Sequence, residues 1–266
     1  MGQDKPKIGL QLWTVRELMK QDMPGTLEKV AEIGYMGVES AFLPEGVTHK
    51  QLGKLLKKLD LPVFSMHAEL PIGDQREELL DMAEAYDCNR MIWHGWPEDI
   101  RYKTEEGTKQ LVDIYNQSNA FAKNNGLVFG IHNHWWEFEK QEGGKYPYEI
   151  LLNYLDTDIF FEIDTYWVKV AGLDPAHMVK LFGKRAPLLH IKDGPGTWTK
   201  SLDKDEPEPM VAVGKGVQDF PKISQAAQGA TEWMIVELDR CATDMMEAVQ
   251  DSYQYLTQEG LAVGKA

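Results

Sequence analysis

One arrangement recurs eight times along the 266 residues: a short apolar run, a loop, then an amphipathic helical stretch. The runs are KIGLQLW (7–13), YMGVESAF (35–42), PVFSMHA (62–68), CNRMIWHGW (88–96), LVFGIHNH (127–134), IFFEIDTYW (159–167), PLLHIKD (187–193) and WMIVELD (233–239). They are rich in β-branched and aromatic residues, as buried parallel strands should be. Between them, Leu52, Leu55, Leu56 and Leu59 share one helical face after a capping Thr48. Leu111, Ile114, Tyr115, Phe121 and Ala122 do the same after Thr104, and Thr26 precedes Leu27, Val30 and Ala31. Gly34 and Gly126 stand where helices stop. Strands alternating with helices imply a parallel sheet, and eight units at this length imply a closed (β/α)8 TIM barrel. Residues 1–266 are expected to form one such domain. No GxGxxG follows the first run and no GxxxxGK[ST] occurs, which removes support for nucleotide-binding open sheets.

Composition narrows the partners. The chain is 43% hydrophobic and 26% charged, a balance suited to a globular core. Its net charge of −14 repels phosphate backbones, so no nucleic-acid partner is expected. No apolar stretch approaches the ~18 residues of a membrane span, so no membrane partner is expected either. The two cysteines, Cys88 and Cys241, belong to no CxxC and fit a reducing compartment. The start, MGQDKPKIGL, is a polar lead into a strand without a signal-peptide core. A cytoplasmic location is expected, or a periplasmic one if a leader has been cleaved.

The chemistry gathers at the ends of the later runs. His132, Asp164, His190 and Glu237 each stand just after a short apolar run, where a parallel strand leaves the core. Two imidazoles and two carboxylates make a shell for one divalent metal ion. The mixed donors suit Mn²⁺, Zn²⁺, Co²⁺ or Fe²⁺ better than Mg²⁺. Of seven histidines, His67, His94, His132, His134 and His190 fall at such ends, which in a barrel converge on one cleft. Trp13, Trp96, Trp135, Trp136, Trp167 and Trp198 lie there too. Their flat apolar faces suit the C–H faces of a sugar. The segment 194–216 is long and punctuated by Gly and Pro, as a functional lid is.

These pieces resemble the sugar phosphate isomerase/epimerase family, the xylose-isomerase-like TIM barrels. The matching stretches are IGLQLWTVR, GIHNHWWEFE, DTYWV, LLHIKDG, VGKGVQDF and IVELD, in order over nearly the whole length. The resemblance implies one metal held at His132, Asp164, His190 and Glu237. It also implies proton abstraction beside a carbonyl of a sugar or keto-sugar, free or phosphorylated, through an enediolate. A lyase or hydrolase of 3-keto-glycosides, or a non-catalytic carbohydrate-binding barrel, is the alternative. Ketose 3-epimerases of this superfamily use two glutamates; here His132 stands at the strand 5 position and only Glu237 remains. Glu237, Lys192 and His67 are the expected acid and base groups, with Glu39 and Glu139 as further candidates for the base. Trp13, Glu39, His94, His134, Trp136, Trp167 and Asp193 are the expected substrate contacts. Gly194–Gly196 with Arg240 form a candidate phosphate turn. A small-molecule sugar is the expected ligand, and the family pattern implies a homo-oligomer.

Overall fold

A computed structural model of the protein describes residues 5–197 and 208–265. Trp198 and the rest of 198–207, within the expected lid, lie outside them. The strands are β1 (Lys7–Gln11), β2 (Gly37–Ser40), β3 (Val63–Ala68), β4 (Arg90–Trp93), β5 (Val128–His132), β6 (Phe160–Asp164), β7 (Leu188–Ile191) and β8 (Trp233–Val236). Each pairs in parallel with the next, and β8 returns to β1, closing the barrel. The helices are α1 (Arg16–Ile33), α2 (His49–Lys58), α3 (Gln75–Tyr86), α4 (Glu105–Asn124), α5 (Pro147–Tyr154), α6 (Thr165–Val170), α7 (Pro175–Phe182), α8 (Phe220–Ala227) and α9 (Met245–Gln258). None of them is long and apolar enough to cross a membrane.

The helix signals act as expected at most ends. Thr48 and Gln51 form a capping box, Thr104 accepts from the Gly107 amide, and Gly34 closes α1 in the left-handed conformation. Thr26 differs. It lies inside α1, which kinks at Asp22 just before Pro24; the Asp22 carboxylate accepts the Gly25 amide and restarts the helix.

Along each strand, alternate residues point into the barrel. Low in the barrel they are apolar: Met36, Phe64, Ile92, Phe160, Leu188, Trp233 and Ile235 pack into a plug. Phe64 stacks on Trp233 at 3.9 Å between ring centres. Two residues further along the same strands, the lining turns polar. Phe160 is followed by Glu162 and Asp164, Leu188 by His190 and Lys192, and Ile235 by Glu237 and Asp239. The period of two therefore builds an acidic and basic chamber directly on a dry floor, at the carboxyl ends of the strands.

The floor depends on missing side chains. A Cβ on Gly130 would drive into the ring of Phe160. Gly130→Ala is expected to cost about 1–3 kcal/mol, the usual range for overpacking. Chemical denaturation measures the loss, and a variant as stable as the parent would show that the floor repacks freely.

Candidate metal centre

The chamber has two tiers joined by His190. In the lower tier, Glu39 and Glu162 are wholly buried. Glu39 accepts from Gln11 Nε2 at 2.6 Å, from Ser65 Oγ and from His190 Nε2 at 2.7 Å. Glu162 Oε2 lies 2.7 Å from His67 Nε2, 3.1 Å from His190 Nε2 and 3.1 Å from His132 Nδ1. A carboxylate only accepts, so these ring nitrogens donate. Burial would raise Glu39, but His67 and His190 hold it well below the carboxylate range. Burial disfavours a charged His67, yet Glu39 and Glu162 lift its pKa to about 10.

The upper tier uses the opposite edges of the same rings. His190 Nδ1 is 2.6 Å from Glu237 Oε2 and 4.0 Å from Asp164 Oδ2. His132 Nε2 is 3.8 Å from Asp164 Oδ2. The other Asp164 oxygen accepts the amides of Tyr166 and Trp167 and so caps α6. The Lys192 ammonium lies 3.1 Å from Asp164 Oδ2, 2.8 Å from Glu237 Oε2 and 2.7 Å from Asp239 Oδ2. Its hydrogen bond goes to Asp239. Asp164 Oδ2, His190 Nδ1 and Glu237 Oε2 are thus buried beside charge but without a hydrogen bond of good geometry. Their ligand atoms lie within 4.8 Å of one another.

Charge follows the geometry. Burial opposes charge on Lys192, but Asp164, Asp239 and Glu237 raise its pKa well above the usual lysine value. Burial lifts Asp164 to about 6 against the pull of Lys192. Burial would raise Glu237 as well, but Lys192 and His190 hold it far below the carboxylate range. Burial, then the neighbouring His190, keeps His132 neutral, as a ligating imidazole must be. When ionised, the carboxylates of Glu39, Glu162, Asp164, Glu237 and Asp239 outnumber the cations of Lys192, His67 and His190, and a cation bound at His190 Nδ1 would displace the proton held there. A divalent cation fits that surplus.

Of the expected ligands, Asp164, His190 and Glu237 form one group; His132 falls in a second group with His67, Glu162 and His190, its Nε2 3.8 Å from Asp164 Oδ2. Other expectations shift. Lys192 lies within 3.1 Å of three carboxylates, which favour its ammonium form over the free base first expected. His67 and Glu39 lie in the lower tier and bond to each other's partners. Asp193 is buried, with its two oxygens taking the amides of Gly194, Gly214, Gly216 and Gln218; it holds the loop. Trp136 is buried behind His134, stacked at 4.4 Å, and supports that ring. Trp167 is also buried, with Lys192 Nζ 5.2 Å from its ring centre. His134 keeps an unpartnered, buried Nδ1, and His94 pairs with Glu69 at 3.1 Å. Trp13 lies at the mouth, 38% exposed, under the guanidinium of Arg16. Glu139 is half-exposed and near Lys103, away from the chamber. Gly196 donates its amide to Tyr166 Oη, so this glycine turn is tied to the protein itself.

Glu162, Gln11, Ser65 and Asp239 were not anticipated. Glu162 had a signal: it interrupts a buried run two residues before Asp164, on the same strand face. Its contacts with His132 Nδ1 and His190 Nε2 leave the opposite edges of both rings facing upward. Glu162→Gln is expected to weaken divalent-cation binding about 10–100-fold while the fold persists. Calorimetric titration with Mn²⁺ reads this, and an unchanged affinity would remove Glu162 from the site's support.

A second buried acid lies outside the chamber. Glu137 accepts the His134 amide at 2.9 Å, and burial pushes its pKa up to about 8. A raised carboxyl pKa stabilises the fold most below the ordinary glutamate value of about 4.5. That contribution is lost as pH rises through about 8. Glu137→Gln is therefore expected to flatten the fall in melting temperature between pH 5 and 9, recovering roughly a few kcal/mol at the alkaline end. Parallel curves for the two proteins would exclude this.

The model of the xylose isomerase-like TIM barrel family matches residues 27–259. No curated protein matches the chain. A sugar phosphate isomerase/epimerase from Parabacteroides distasonis superposes with a TM-score of 0.79 at 23% identity, over 98% of this chain and 100% of that one. An IOLI protein with a binding zinc atom gives 0.68 at 14% identity, over 95% and 97%. A D-allulose 3-epimerase from a Methylomonas species gives 0.66 at 15% identity, over 97% and 99%. At these identities the likeness is one of fold.

Proposed function

The chain belongs to the xylose isomerase-like TIM barrel family, and we propose that it is a metal-dependent isomerase or epimerase of a sugar or keto-sugar. The observation that carries this is the convergence of three buried donor atoms, Asp164 Oδ2, His190 Nδ1 and Glu237 Oε2, within 4.8 Å of one another and without a hydrogen bond of good geometry. They converge at the carboxyl ends of the strands, where barrel enzymes do their chemistry. With His132 Nε2 they would hold one divalent cation, of Mn²⁺, Zn²⁺, Co²⁺ or Fe²⁺ type by their mixed nitrogen and oxygen donors. Such an ion supplies Lewis-acid stabilisation of charge developing on a substrate carbonyl oxygen, worth several kcal/mol.

The chain's own residues supply the rest. Glu39 and Glu162 fix the rings of His190 and His132 from below, and His67 braces both glutamates. Glu237 and Asp239 share the Lys192 ammonium, which favours their ionised forms, so that one of them is free to accept a proton from substrate. Asp239, with its side chain 20% exposed, is the more open of the two and takes the place first expected of a basic Lys192. The tryptophans around His134 shape an apolar wall on the β4–β6 side.

The test is metal analysis of protein purified without chelator, followed by NMR of candidate ketoses and keto-sugars in D₂O. Bound metal, solvent deuterium entering the substrate, and loss of both turnover and exchange on chelation with recovery on Mn²⁺ are expected. Metal-bound protein that exchanges no substrate proton would reduce the barrel to a carbohydrate-binding protein. A lyase acting on 3-keto-glycosides shares the same proton abstraction, and product analysis in the same experiment separates it from an isomerase.

A further inference from the structure

Beside the chamber, on the side away from the tryptophan wall, a cleft of about 270 Å³ opens between the ends of β2–β4 and helices α2 and α3. His67 belongs to both spaces: its Nε2 braces the two lower glutamates, and its ring lines the cleft. Ser40 lines it as well, and its Oγ is buried without a partner. Phe42, Leu79 and Met82 supply apolar faces, while Glu69 and Glu78 supply negative charge. No lysine or arginine is among the lining residues.

From this we propose that the cleft is a subsite for a neutral, hydroxyl-bearing ring, so that the substrate is a two-part glycoside and not a sugar phosphate. This rests on the reading of the chamber as the reacting site and names its substrate class. The volume lies at the small end of ligand pockets and suits one ring. An apolar face with a few polar groups is how such sites hold a ring. The buried Ser40 hydroxyl would gain the partner that it lacks. A phosphate would face Glu69 and Glu78, and the one cationic group in the lining, His67, is already paired with Glu39 and Glu162, so charge selects against it.

Binding of methyl β-glucoside, cellobiose and glucose 6-phosphate to the Mn²⁺-loaded protein tests this, read by calorimetry. Cellobiose is expected to bind at least tenfold tighter than methyl β-glucoside, and glucose 6-phosphate no tighter than it. Glu78→Trp fills the cleft from an exposed position on α3. It should erase the cellobiose advantage and leave the affinities for Mn²⁺ and methyl β-glucoside unchanged. Phe42→Ala, at the other wall, should reduce the same advantage. Equal affinity for the two neutral sugars, tighter binding of the phosphate, no binding of any of the three, or an advantage that survives both variants would overturn the proposal. Failure to take up Mn²⁺ counts instead against the metal centre, so the two readings fail separately.

Discussion

Glu237→Gln is expected to leave the barrel folded, weaken divalent-cation binding by more than about a hundredfold and abolish turnover. Loss of an outer partner of a ligand already costs about 10–100-fold, and here a charged ligand itself is replaced. The amide keeps the volume of the carboxylate but loses its charge. The position of Oε2, now 2.6 Å from His190 Nδ1 and 2.8 Å from Lys192 Nζ, would be filled by a neutral group. Circular dichroism checks the fold, titration with Mn²⁺ reads affinity, and proton exchange in D₂O reads chemistry. A variant that binds Mn²⁺ as the parent does would remove Glu237 from the ligand set. One that binds normally and still turns over would also end its acid–base role.

Lys192→Met is expected to be the most destabilising change in the chamber, by about 3–5 kcal/mol in metal-free protein, the cost of stripping one partner from a buried ion pair. The ammonium is buried among Asp164, Glu237 and Asp239, each within 3.1 Å. Without it the carboxyls retain their charge only at a desolvation cost, or take up protons. Their folded-state pKa values would then rise, so stability is retained at low pH and lost as pH climbs. The deficit should be larger at pH 8 than at pH 5. A divalent cation offers replacement positive charge, so Mn²⁺ should raise the melting temperature of the variant more than that of the parent. Equal metal-free melting temperatures at pH 8 would show that Lys192 is not the counter-charge of this cluster.

Much of this architecture is legible in the residues, because its periodicities are local. The run IFFEIDTYW announces a strand by its apolar, aromatic make-up, and the parity of its positions places Glu162 and Asp164 on one face. The same parity links His190 with Lys192 and Glu237 with Asp239. What a single strand does not carry is its height against the others. That is set by register, which places Asp164 opposite His190 and His132 opposite Glu162. Hence His67 and Glu39, read as groups that meet substrate, lie a tier lower, and Asp193, read the same way, is turned onto loop amides.

The sequence by itself determined the eight strand–helix units and the placing of His132, Asp164, His190 and Glu237 at strand ends on one side of the barrel. Periodicity and residue chemistry act within a few residues, so they survive in the chain's linear order. Only the tertiary structure decided that His190 joins two tiers, that Lys192 is ringed by three carboxylates, and that Glu162 and Asp239 lie beside the expected residues. Those outcomes depend on distances between strands and on how far each charge is removed from water, which arise when the barrel closes.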